Sequence, residues 1–310
     1  MIRKLIACLI APALVLIPAT AQEDGPKHPL RPLLWKVEGN GLEKPSWLFG
    51  TIHLGEGPLG KLHPAADKAL AGSDVVYTEV SMDPATQLGM AKHFMRTDGK
   101  TLSASIGEEL TKQLEAELAA VQPGLTSGIF QSFKTWAVAV TIPLLKAQLG
   151  GSPPVDRIVW DKATEAGKGT VALEKPEDQF GIFDDLKEEE QIIFLSESLR
   201  LQKESRGKEE DPVAHLVEAY VSGDPKKIEG AMEHQMNEMA KGEHKELGEK
   251  LLKRLLQDRN VTMAKTMAER MKVDPAKSHF FAVGAGHYLG KGNIVGLLTD
   301  RGYTVTLANP

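Results

Sequence analysis

Four short apolar runs constrain this chain most: Trp47-Leu48-Phe49, Val75-Val76-Tyr77, Val171-Ala172-Leu173 and Phe280-Phe281-Ala282-Val283. Each is followed by a turn or a helical pattern, and runs of this length and composition read as buried strands. A further run, Tyr303-Thr304-Val305-Thr306-Leu307, closes the chain. Strands alternating with helices predict an α/β sheet. The residues after the four runs predict more. The first leads into Gly50-Thr51-Ile52-His53, the second reaches Glu79, the third Glu174, and the fourth Gly284-Ala285-Gly286-His287. Open α/β sheets bind ligands beyond the carboxyl ends of their strands. Four ionisable residues just past four strand ends therefore point to one site.

The Gly-x-x-His spacing occurs more often than chance allows. With 29 glycines and nine histidines in 310 residues, composition alone gives roughly 0.8 matches. The matches end at His28, His53, His63 and His287. His28 falls in a polar lead-in and His63 precedes a proline in a glycine-rich loop, so neither signals a site. His53 and His287 each follow an apolar strand, where the glycine is expected to let the chain turn sharply without a Cβ clash. Gly284-x-Gly286-x-x-x-Gly290 imitates a dinucleotide fingerprint. Only one strand follows it, however, with no acidic ribose ligand, which argues against nicotinamide binding.

Charge and the N-terminus bear on partners. The chain carries −5, or −7 without Arg3 and Lys4, and so lacks the basic footprint that nucleic acid requires. Met1-Ile2-Arg3-Lys4, the apolar run Leu5–Ala19 and Ala19-Thr20-Ala21 together read as an export signal over 1–21, cleaved after Ala21. The apolar run is shorter than the ~20 residues that span a bilayer, so no stable membrane anchor is expected after cleavage. The expectation is a periplasmic or secreted protein. Its cysteine, Cys8, would leave with the leader, removing disulfides and cysteine nucleophiles from consideration. Residues 22–310 are expected to form one domain, with 22–32 a disordered lead-in and 186–272 a helical block. That block is ordinary packing on the sheet or a cap over the site. Trp136–Leu149 reads as a core helix. Arg259 opens the block's last helix, where it is a surface charge or a side chain reaching back to an anionic group.

Taken together, these segments resemble the TraB/GumN family, which includes the TIKI proteases and has erythromycin-esterase-like relatives. The resemblance rests on Leu34-Trp35-Lys36-Val37, Trp47 through Gly55, Tyr77-Thr78-Glu79-Val80, Leu173-Glu174 with Gln179, Arg259-Asn260, and Phe281 through Gly290. It covers nearly all of the chain after the leader. It implies a fold of two related, pseudo-symmetric α/β halves with a mainly helical insertion, and an active site at His53, Glu79 and His287. Lys175 and Pro176 depart from the small polar residue common after the glutamate that Glu174 matches.

Three functions follow as expectations. In the first, His53, Glu79 and His287 hold a divalent metal (Mn, Co or Zn) and the protein is a peptidase-like hydrolase, with Asp156 and Glu174 supporting the shell. In the second, hydrolysis is metal-free and esterase-like: a histidine is the base, Glu79 its partner, and Arg259 stabilises developing charge. In the third, the protein is a non-catalytic periplasmic binder that modulates signalling peptides. Gly50, Gly284 and Gly286 support the two histidine turns in any of these. The partner is a peptide or small-molecule substrate.

Overall fold

The computed structural model describes residues 28–308 except Glu56 and 240–243. The leader expected over 1–21, and most of the lead-in, lie outside the described residues. The strands are β1 (Leu34–Gly39), β2 (Ser46–Thr51), β3 (Val75–Thr78), β4 (Gly169–Ala172), β5 (His279–Gly284) and β6 (Tyr303–Leu307). They form one six-stranded sheet in the order β4-β3-β5-β2-β1-β6. β5 pairs in parallel with both β2 and β3, and β3 in parallel with β4. β1 runs antiparallel to β2 and to β6. The carboxyl ends of β2, β3, β4 and β5 consequently share one edge of the sheet. There Trp47–Thr51 of β2 is registered against Phe280–Gly284 of β5.

Burial explains why these runs become strands. His279 through Val283 are all buried, as expected for a central parallel strand covered on both faces. β1, an edge-side partner, alternates buried and half-buried residues from Trp35 to Glu38 instead. Between β2 and β3 lies α1 (Pro64–Gly72). α2 (Pro84–His93), α3 (Leu102–Val121), α4 (Thr135–Thr141), α5 (Leu145–Leu149) and α6 (Val155–Glu165) separate β3 from β4. The single helix expected over Trp136–Leu149 is thus two. Pro143 has no N–H to continue the ladder, and a 3₁₀ turn at Ile142–Leu144 replaces it.

After β4 come α7 (Pro176–Asp184), α8 (Glu188–Gly207), α9 (Pro212–Ser222), α10 (Pro225–Met239), α11 (Lys245–Leu252) and α12 (Arg259–Val273). No strand interrupts 186–272 among the described residues, as the apolar periodicity predicts. A π turn, Lys253–Asp258, links α11 to α12. The last helix, α13, is Ile294–Thr299. Two apolar clusters result. One surrounds the sheet; the other packs α3, α4, α7 and α8 around Trp136, Phe180 and Phe183. No helix among the described residues is long and apolar enough to cross a membrane.

Candidate active site at the sheet edge

The register brings the expected residues together. A methyl carbon placed on Gly284 would lie 3.1 Å from Glu79 Oε1, 3.7 Å from His53 Nε2 and 3.8 Å from His287 Cδ2. His53, Glu79 and His287 therefore border one small volume, kept open by the missing side chain of Gly284. Backbone torsion is not the reason for the glycine, since Gly284 has φ −49°. Gly50 likewise serves packing, because a Cβ there would stand 3.1 Å from Leu33 Cβ and 3.3 Å from Ala285 Cα. The sharp turn expected of these two glycines is thus a matter of room. Gly286 makes space for Met232 of α10.

Glu79 is 7% exposed and receives three hydrogen bonds. Oε1 accepts from Gly284 N at 2.7 Å, while Oε2 accepts from Arg259 Nη2 at 2.5 Å and Gln179 Nε2 at 3.1 Å. Burial alone would raise its pKa. The charges of His287, Arg259 and His53 and the Gly284 N–H outweigh that and hold the carboxyl well below the usual range. Glu174 lies alongside because the β3–β4 pairing continues past the strands: Glu174 N donates to Glu79 O at 2.9 Å. Arg259 donates through Nε and Nη2 to Glu174 Oε2 at 3.0 and 2.8 Å. Its side chain is only 13% exposed, so it is no surface charge. It reaches back as the alternative reading requires, yet the anionic groups it holds are the protein's own carboxylates. Lys175 and Pro176, which depart from the family pattern, open α7 and leave Glu174 in this cluster.

The two histidines are held differently. His53 Nδ1 lies 2.9 Å from Asp156 Oδ2, and Asp156 Oδ1 accepts from Thr51 Oγ1. Asp156 is buried, whereas the His53 side chain is 63% exposed. The Asp156 charge lifts His53 to about 9. His287 is buried, 2.7 Å through Nδ1 from Asn260 Oδ1, and burial pushes it down to about 4. Asn260 is the residue that sequence reasoning assigned no role. Its signal was periodicity: it shares a buried helical stripe with Met263, Ala264, Met267 and Met271.

The donor set suits a divalent ion chemically. Each imidazole has Nδ1 engaged and Nε2 available, and a carboxylate oxygen accepts two hydrogen bonds, of which Glu79 Oε1 uses one. Asp156 behind His53 is the carboxylate–imidazole support common behind metal-binding histidines. Among the described residues, no three His, Cys, Asp or Glu side chains are closed onto a common point. The donors border one volume without converging.

The TraB/PrgY/gumN family model matches residues 33–307. Metalloprotease TIKI1 of Danio rerio is 26% identical over 93% of this chain and 65% of its own length. Metalloprotease TIKI2 of the same organism is 25% identical over 94% of this chain and 64% of its own, and Homo sapiens TIKI1 is 23% identical over 89% and 62%. The chain thus spans just under two thirds of these relatives. No solved structure matches it. With a match reaching from before β1 to the end of β6, the chain belongs to the TraB/PrgY/gumN family.

Proposed function

We propose that this protein is a peptidase-like hydrolase that uses a divalent metal (Mn, Co or Zn) held by His53, Glu79 and His287. The observation that carries the reading is the shared volume at Gly284, bordered by Glu79 Oε1 and His53 Nε2 and by the His287 ring. The name metalloprotease borne by the TIKI relatives supports it. When bound, such an ion supplies Lewis acidity and makes water nucleophilic near neutral pH. Asp156 orients the His53 ring, and Arg259 balances the paired charges of Glu79 and Glu174. We propose further that the protein acts in the periplasm or after secretion, on peptide or other small substrates rather than nucleic acid.

A second, metal-free reading is favoured by the unlike settings of the two rings, His53 beside the buried Asp156 carboxylate and His287 buried beside the Asn260 amide. The histidines are pushed apart, His53 up to about 9 and His287 down to about 4, the pattern of an acid paired with a base. Arg259 donates through Nε and Nη2 to Glu174 and Glu79 and through Nη1 to the Leu255 carbonyl, so in this reading it would stabilise developing charge beside the two carboxylates it holds. Elemental analysis of the purified protein, with hydrolysis of a fluorogenic peptide library before and after chelation, separates the readings. Stoichiometric metal and chelator-sensitive turnover support the first; turnover indifferent to chelator replaces it with the second; no turnover at all leaves a peptide binder.

A further inference from the structure

We infer that Asn260 is a positioning residue that fixes the tautomer of His287 and presents Nε2 as its free lone pair. The inference deepens the hydrolase reading and rests on His287 being part of that site. Asn260 stands in the first turn of α12, next to Arg259, and is 2% exposed. Its amide is oriented by an unambiguous acceptor: Nδ2 donates to the Gly292 carbonyl at 3.0 Å. Turning the amide over would put Oδ1 against that carbonyl, two acceptors in contact with no proton between them. Oδ1 therefore faces His287 Nδ1 at 2.7 Å. An amide oxygen only accepts, so the proton of this bond belongs to His287 Nδ1. The neutral ring then has its lone pair on Nε2, the nitrogen that a metal ion or a water proton would use.

The same amide joins one side chain to one backbone carbonyl. Gly292 follows His287 by five residues and has φ +70°, a left-handed conformation that glycine adopts without strain. Asn260 thus ties α12 both to the imidazole and to the loop beyond it. The neighbouring Arg259 ties α12 to Glu79 and Glu174. The π turn ends immediately before this pair, and π turns recur where a helix must aim side chains at a site.

The test is read on metal-free protein labelled with ¹⁵N-histidine, using two-bond ¹H–¹⁵N spectra, with His287 identified by its loss in His287→Gln. The wild type is expected to show the Nδ1–H pattern at His287. Asn260→Ala is expected to shift it toward Nε2–H and to weaken Zn²⁺ binding, measured by calorimetry, roughly 10–100-fold. A wild-type ring protonated on Nε2, or an Asn260→Ala protein that keeps the full Nδ1–H pattern, overturns the inference. Should Asn260→Ala not fold, the wild-type spectrum alone still decides. Absence of Zn²⁺ binding to wild type with the Nδ1–H pattern intact overturns the metal reading and leaves the tautomer assignment standing.

Discussion

At the scale of single residues, charge balance around Glu79 makes the sharpest predictions. Arg259 faces two buried carboxylates, so Arg259→Ala leaves both uncompensated and is expected to cost about 3–5 kcal/mol in urea denaturation. Glu79→Gln should cost clearly less, because Glu174 still pairs with the guanidinium. The histidines shape stability against pH in the metal-free protein. Between pH 6.5 and 4 the unfolded chain takes up a proton that buried His287 refuses, so stability falls as pH drops through that window. His53 acts in the opposite sense: its contribution is complete below 6.5 and is lost as pH rises toward 9, on a shallower arm because the ring is exposed. Denaturation midpoints across pH in the presence of chelator should show a maximum near neutrality. His287→Gln should flatten the acid arm and Asp156→Asn the alkaline one. The residues bordering the site were legible in the sequence because each follows an apolar run. The partner of His287 was less so, since Asn260 depends on which helix comes to rest beside the imidazole.

At the scale of elements, the loop after β2 is the most tightly specified. Gly55 lies so close to Pro153, just before α6, that a Cβ would overlap the Pro153 carbonyl oxygen at 1.9 Å. Leu54 O also accepts from Val155 N at 3.2 Å. Gly55→Ala must move backbone, and a loss of about 1–3 kcal/mol or more is expected in thermal melting. It should also disturb His53, two residues upstream, and so reduce Zn²⁺ affinity, whereas Gly72→Ala, with open space around its Cβ and no positive φ, should leave that affinity unchanged. The four site-bearing strands and the helices of the 186–272 block could be read from periodicity. The break in Trp136–Leu149 and the π turn could not. Pro143 marks the first only once the flanking turns are known to pack separately, and nothing in Lys253–Asp258 distinguishes a π turn from an α turn.

At the scale of the whole molecule, the two apolar clusters divide stability from chemistry. Trp136 is fully buried in the helical cluster, donates to Asp184 Oδ1 at 2.7 Å and stacks on Phe183. Trp136→Ala is expected to cost about 3–5 kcal/mol, yet Zn²⁺ affinity per folded molecule, measured by calorimetry below the lowered melting point, should stay within a few-fold of wild type. The α/β class was legible as a whole, while strand order was not, because periodicity carries no information about which strands become neighbours. That order has a consequence for synthesis. β5 wedges between β2 and β3, and β6 lies against β1, so the last two strands in sequence order occupy the middle and one margin of the sheet. A nascent chain still short of residue 279 has nothing to bridge β2 to β3, and hence nowhere to assemble the histidine–glutamate cluster. Closing the sheet must await residue 284 and pass through contacts of long sequence separation, which are slow to form. The histidine–glutamate cluster therefore comes into being only when β5 threads into place between strands laid down long before it.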